Sequence, residues 1–581
     1  MPAARASSIA IAPLLLATCL QAADPPPPSS PWGTCSSAEW FGEYPRFNPL
    51  LAQAGVRWSR FFPEWSSIQP RKDAWNWKPA DEYLADAAKH GIGVSGGFWY
   101  FAPWATTTGD TRTSPIKDLA DWGAYVSASV ARYKGRIVDW EIYNEFNGSF
   151  ANSKNKPKEY ADLVATAWEA AKKADPSARI GISCANFDLG FFDAAIKAGA
   201  SNRFDFVCVH PYENTHQLSD GGESGFLSMA GSIRKMLADN KQRSDIALWI
   251  TEFGIQSTVQ PDAAKDALQA DVLVKSHVLA LAQGFERLCW FEARGPSYGH
   301  GTDHGIIRQD WSTRPCYDAL KVMTGVLGAT PRYVGWLNLA EGGYGFVFDG
   351  ASGPVLSAWA PKGSTLQLAL AGTPLVADVL GAAVATTPGR PIALSASPRW
   401  ITGIPADLVA QARANAGKPF PWGGDFANAS EVSCLLGATN TDRGITQRNP
   451  QTTPVVNKLD HSYRRSDAGR GGEGFYAYFR VDPQFASFGA KNLSITVVAR
   501  RSDQGKAASF DICYESLKGY RGTGKRWTVP AGEEWSSNTW TVDDANFVGG
   551  WGWNFRTDCG GSPGDFDIKE VRVTKAGPAA P

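Results

Sequence analysis

Residues 137–145 read IVDWEIYNE and residues 246–254 read IALWITEFG, two short apolar runs that each break off at an acidic residue. Runs of this length are too short for helices and are rich in β-branched and aromatic residues, so both are expected to be buried strands. The same pattern extends outward in both directions. Further strands are expected at WGTCSS from Trp32, VRWSRFF from Val56, IGVSGGFWY from Ile92, RIGISCANF from Arg179, DFVCVHPY from Asp205 and RLCWFEAR from Arg287. Helical spacing separates them, as in DEYLADAAKHG, EYADLVATAWEAAKKADP and DVLVKSHVLALAQGF, several of which stop at Gly or Asp-Pro. Eight strand and helix units over residues 31–325 predict a parallel (β/α)₈ TIM barrel. An open doubly wound sheet normally carries a Gly-rich phosphate turn after its first strand, and TCSSAEW has none.

The remainder is expected to be all-β. Short alternating runs over 328–403 (YGFVFDG, PVLSAWAP, STLQLAL) predict a small accessory β-sandwich. Residues 404–425 are rich in Ala, Gly and Pro and read as a linker. Alternation returns over 426–577 in EGFYAYFRVD, LSITVVAR, SFDICYES and DFDIKEVRVT, a second sandwich of jelly-roll type. The whole is therefore a multidomain chain.

Composition narrows the partners. With 57 Lys and Arg against 57 Asp and Glu, no net field exists to hold a nucleic acid. The 23 Trp, 17 Tyr and 29 Phe supply flat faces with polar edges, which suit a ligand apolar on its faces and hydroxylated at its rim, as sugar rings are. Residues 1–23 carry Arg5, an apolar stretch from Ile9 to Leu20 and small Ala22 and Ala23, the layout of a signal peptide, so a secreted or periplasmic protein is expected. That stretch is too short to span a bilayer, and no transmembrane segment is expected. Leu16-Ala17-Thr18-Cys19 faintly resembles a lipoprotein box, leaving a lipid anchor at Cys19 and an outer-surface location as the alternative. No C-x-x-C or H-E-x-x-H arrangement is present, and neither metal nor cofactor is expected.

In such a barrel the strand ends carry the site. The fourth strand closes on Asn144-Glu145 and the seventh on Thr251-Glu252, which places two carboxylates on opposite walls of one rim. A pair of this kind is a tool for cleaving glycosidic bonds: one acid protonates the departing oxygen while the other attacks or stabilises the sugar cation.

WEIYNEFNG and LWITEFG resemble the acid/base and nucleophile signatures of clan A glycoside hydrolases, and DFVCVHPY and RLCWFEAR fit the same pattern on the sixth and eighth strands. Within the clan, VRWSRFFPEWSSIQP followed by WNW, and a β-module after the barrel, are most similar to family 39 and its relatives. The resemblance implies an exported retaining O-glycosidase acting on a polysaccharide or oligosaccharide, with Glu145 as acid/base and Glu252 as nucleophile. It implies substrate contacts at Asn144, His210, Tyr212 and a sugar-stacking Trp290. The second strand should supply an Arg beside the nucleophile. Period alone leaves Arg57 and Arg60 both open, and the spacing to Trp65 favours Arg60. Trp99, Tyr100 and Trp104 are candidate subsite walls, and Tyr476, Tyr478, Trp551 and Trp553 a carbohydrate-binding surface. A silent glycan-binding barrel and a transglycosylase using the same residues are the alternatives.

Overall fold

Eight strands close into a parallel barrel in chain order: β1 (Trp32–Cys35), β2 (Trp58–Arg60), β3 (Gly93–Phe98), β4 (Asp139–Ile142), β5 (Arg179–Ala185), β6 (Phe206–His210), β7 (Ala247–Phe253) and β8 (Arg287–Trp290). This computed structural model describes residues 29–575 apart from 36–41, 113–115, 296–300, 388, 423–425, 427, 449–452, 454, 459–460, 467–475 and 490. The expected leader and Cys19 lie outside the described residues. Each strand falls on one of the runs expected to form it, and β8 returns to β1 through Gly33 opposite Cys289. Most of the strands are buried along nearly their whole length, as a parallel sheet wrapped by helices requires.

The helices follow from their stripes and caps. Lys156–Ala174 turns Tyr160, Leu163, Val164, Ala167 and Ala171 inward at helical spacing. Asp118, Asp188 and Asp262 each accept a first-turn backbone N–H, satisfying donors that a helix start leaves without an internal partner.

Inside the barrel, Phe206, Cys208, Ala247 and Trp249 form a buried cluster of their own. Arg287 lies across that layer, 2.6 Å from Ser95 Oγ, 3.6 Å from Asp139 and over the rings of Trp58 and Trp249. The bottom of the barrel is thus a plugged floor, and the open chemistry is confined to the strand C-termini.

Beyond the barrel, a six-stranded antiparallel sheet spans Arg332–Thr402 and a 13-stranded, mostly antiparallel sheet runs from Glu431 to Lys575 around a separate core that includes Ile495, Phe510, Trp540 and Val571. The stretch read as a linker contains a helix, Ala406–Asn415, built from good helix formers. It lies on the six-stranded sheet at Gly335, where a Cβ would sit 1.8 Å from the Ala412 carbonyl oxygen. The C-terminal sheet meets the barrel at the short helix after β6, Tyr212–Gln217, where Arg448 pairs with Glu213 at 2.7 Å. All eight described cysteines are free thiols. Among the described residues no helix is long and apolar enough to cross a membrane.

Candidate active site

Glu145 reaches the barrel mouth through unusual backbone. Asp139 and Glu141 face inward by strand alternation, and then Tyr143 (φ 60°) and Glu145 (φ 52°) adopt the left-handed conformation. Such residues cost about 1–3 kcal/mol each and persist only where surrounding bonds over-determine them. Here Tyr143 N–H donates to Phe98 O at 3.1 Å, its hydroxyl lies 2.8 Å from Arg112 O and 2.9 Å from Phe150 O, and Gly148 N–H donates to Glu145 O at 2.8 Å.

Glu252 is delivered by a different device. Between Ile250 and Phe253 the register of β7 against β8 slips, three steps on β7 facing two on β8. This bulge lets Thr251 and Glu252, consecutive in sequence, both serve the interior. Thr251 Oγ1 bonds His210 Nε2 at 3.1 Å, while Glu252 joins the charged cluster above it.

Arg60 is the centre of that cluster. It holds Glu141 with two parallel bonds of 2.8 Å, donates to Glu252 Oε1 at 2.7 Å and to Asn144 Oδ1 at 3.0 Å, and carries the Trp99 indole over its guanidinium at 4.5 Å. The planar fork is what allows one cation to serve three acceptors. Tyr212 donates its hydroxyl to Glu252 Oε2 at 2.8 Å, and His210 Nδ1 lies 2.9 Å from Glu145 Oε1. One carboxylate oxygen from each of Glu145 and Glu252, and a ring nitrogen of His210, lie within 4.8 Å of one another. Side-chain exposure ranks the acids: Glu145 18%, Glu252 11% and Glu141 only 3%, so Glu141 is closed to any substrate. A divalent cation could share the Glu145, His210 and Glu252 set by donor type, but both ring nitrogens of His210 already hold protein partners.

Burial alone would drive His210 towards neutrality, but the Glu252 charge and the bonds to Glu141 and Glu145 outweigh it and hold its pKa up at about 9. Burial likewise works against the Glu141 anion, and the charge and bonds of Arg60, with His210, overcome it and hold that carboxyl down at about 2. Burial, then the Glu252 charge, push the Tyr212 phenol well upward, so it stays a donor.

The expected residues divide. Glu145, Glu252, Asn144, His210, Tyr212, Arg60 and Trp99 meet in one cluster. Arg57 does not: Ser59 faces outward to Tyr83 at 2.5 Å, so Arg60 points in and Arg57 out, where it bonds Val56 O at 3.3 Å. Trp290 is also displaced from its expected role. Alternation along β8 turns Arg287 and Cys289 inward and Trp290 outward, wholly buried against Phe253 and His277. Its neighbour Phe291, half-buried, instead faces Tyr212 and His304. Trp104 donates to Gln69 O at 2.8 Å and packs on Trp65 beneath a loop, without contact to the acids. Tyr100, expected as a subsite wall, accepts from Asn144 Nδ2 at 3.3 Å, and sequence reasoning missed Glu141 and Phe291. Glu141 had a signal: a carboxylate amid the apolar run IVDWEIY needs a buried cation.

With this geometry in hand, comparison with known proteins is specific. The Glycosyl hydrolase family 10 profile matches residues 63–186. Endo-1,4-beta-xylanase 3 of Hypocrea jecorina is 31% identical over 265 residues, covering 44% of this chain and 72% of that protein. The chain belongs to glycosyl hydrolase family 10. Endo-1,4-beta-xylanase 2 of Claviceps purpurea is 32% identical over 133 residues, 22% of this chain and 39% of that protein. Among solved structures, a family 39 glycoside hydrolase from Bacteroides cellulosilyticus WH2 shares the fold, with TM-score 0.55 and 20% identity over 64% of this chain and 81% of that one. The clan A assignment from the two motifs therefore stands. Within it, the profile that matches is family 10 rather than family 39. This family 10 member is a glycoside hydrolase whose barrel is followed by two β-sheet regions.

Proposed function

We propose that the chain hydrolyses a β-1,4-linked polysaccharide of the xylan type, outside the cytoplasm, with retention of anomeric configuration. The observation that carries the mechanism is the approach of the Glu145 and Glu252 carboxylates to within 4.8 Å. Retaining enzymes hold their acids about 5–5.5 Å apart, whereas inverting ones need about 6.5–9.5 Å to admit a water. The names of the xylanase relatives support the substrate class.

The charges distribute the roles. Arg60 touches Glu141 and Glu252 but not Glu145, so the fixed cation supports an anionic nucleophile and leaves Glu145 as the proton carrier. In the first step Glu252 attacks the anomeric carbon while Glu145 gives its proton to the departing glycosidic oxygen. The Glu145 anion so formed lies 2.9 Å from His210 Nδ1, whose pKa the surrounding carboxylates hold up. In the second step Glu145 takes a proton from water, whose oxygen displaces Glu252 from the sugar. Asn144, fixed by Arg60 and Tyr100, is placed to bond the hydroxyl beside the reacting carbon.

Time-resolved NMR of xylo-oligosaccharide products tests this: the first product formed retains the β configuration. Initial release of the α anomer overturns the double displacement, and an inert wild-type chain on a polysaccharide panel overturns the enzyme reading. Export is supported by the leader-like residues 1–23. Its test is the N-terminal sequence of protein recovered from the medium or periplasm.

The outer face of the C-terminal sheet is read as holding glycan. Tyr476 and Tyr478 share it, Arg556 lies 3.7 Å over Tyr476, and Trp551 is 47% exposed. Retention on insoluble xylan, lost with Trp551→Ala, is the expected result.

A further inference from the structure

Where the helix Tyr212–Gln217 and its following loop face the C-terminal sheet, they enclose a cavity of about 910 Å³, within the range that small-molecule sites occupy. Its walls include neutral hydrogen-bonding groups, among them Asn214, Gln217, Asn440, Gln447 and Asn554, with Phe426 and Phe547 as apolar patches. Amides offering both donors and acceptors beside a ring face are the chemistry that holds a sugar.

The charged residues in the lining are not equivalent. Asp220 is paired with Lys362 at 2.6 Å, Asp482 accepts from Gln484 N–H at 2.8 Å, and Asp442 lies 3.2 Å from Cys434 Sγ. Arg464 donates to the carbonyls of Gly437 and Thr453. Arg480 stands apart. Among the described residues its guanidinium makes no hydrogen bond or ion pair, and its Nε is shut off from solvent. It follows Tyr476 and Tyr478 at alternate positions on the same strand, so it shares the face read above as glycan-holding. Burial, with Arg448 nearby, lowers its pKa to about 10 against the opposing charges of Asp220 and Glu213, neither of which bonds it. Arg480 is partly buried, and leaving its enclosed Nε without a partner is costly, a cost that an incoming carboxylate removes by taking both prongs of the fork.

We infer that this cavity is a binding site for a sugar carboxylate, a hexuronate residue carried on the polysaccharide, with Arg480 as its anion anchor. The inference rests on the polysaccharide reading above for the chain that carries the hexuronate, but not for the carboxylate itself. The cavity shares its wall with the helix whose first residue, Tyr212, holds Glu252. A bound branch therefore places the substrate against the same element that positions the nucleophile.

The test is calorimetric titration of the full chain carrying Glu145→Gln, to stop turnover. The probes are a glucuronate-branched xylo-oligosaccharide, its unbranched counterpart, the methyl ester of the branched one, and sodium glucuronate. The acidic probe binds at least about tenfold more tightly than the unbranched one, as a charged hydrogen-bonded pair implies. Esterification removes that advantage without touching the protein, Arg480→Gln removes it too, and Arg480→Lys retains part of it. Equal binding of acidic, esterified and unbranched probes overturns the site, as does an advantage that survives Arg480→Gln. If sodium glucuronate binds in an Arg480-dependent manner while neither oligosaccharide binds, the site stands and the xylan reading falls.

Discussion

Arg60 joins Glu141, Asn144 and Glu252 in one rigid arrangement, so its loss should damage stability and rate together. Arg60→Gln leaves two buried carboxylates without their cation, and a cost of about 3–5 kcal/mol is expected in denaturant titration. On the proposed roles, Glu145→Gln keeps shape and loses only the transferable proton, so hydrolysis of polysaccharide should fall about 10²–10⁴-fold, with a smaller loss on aryl glycosides whose leaving groups need no proton. Glu252→Ala should abolish both activities. His210 sets a pH dependence whose sign is fixed. Its folded pKa of about 9 lies above the ordinary 6.5, so its contribution to stability is complete below about 6.5, declines between 6.5 and 9, and is gone above 9. Melting temperatures across pH 6–10 should show that decline, and His210→Asn should flatten it.

The elements place these residues by small departures from regularity. The β7 bulge points two neighbouring side chains to one side, and the left-handed residues after β4 aim Glu145 into the mouth. On β3, Gly97 makes room for Trp99: a Cβ there would lie 2.0 Å from the indole Cζ2. Gly97→Ala must push that ring off Arg60, and a loss of about 1–3 kcal/mol with reduced kcat is expected. On β8, Trp290 and Phe291 separate core from site. Trp290→Ala should cost about 3–5 kcal/mol with KM little changed. Phe291→Ala should raise KM with a smaller stability loss, and parallel melts and kinetics distinguish the two.

At the scale of the molecule, the C-terminal sheet is joined to the catalytic end of the barrel and not to its floor. Arg448 bonds Glu213 Oε2 at 2.7 Å and Trp551 O at 2.8 Å, next to Tyr212, whose hydroxyl bonds Glu252. This partly exposed pair is worth about 1 kcal/mol or less to stability. Arg448→Ala should therefore leave the melting temperature nearly unchanged while lowering kcat through a looser Tyr212. An unchanged kcat would show that the sheet is mechanically independent of the site.

The strand order, the barrel and the pairing of Glu145 with Glu252 were legible because they depend on local chemistry: apolar runs of strand length, helix stops between them, and acids at run ends. His210, Tyr212 and Asn144 were legible for the same reason, being fixed to those ends. Which of Arg57 and Arg60 points inward was not, since a one-residue shift exchanges the faces of a strand and only the contact of Ser59 with Tyr83 settles it. Trp290 and Phe291 differ by the same single step. Glu141 became meaningful only once Arg60, 81 residues away, was folded against it. The sequence by itself determined which elements exist and what chemistry their ends carry. The tertiary structure decided which side chain at each end faces the hollow, because facing depends on register, bulges and partners brought together from distant parts of the chain.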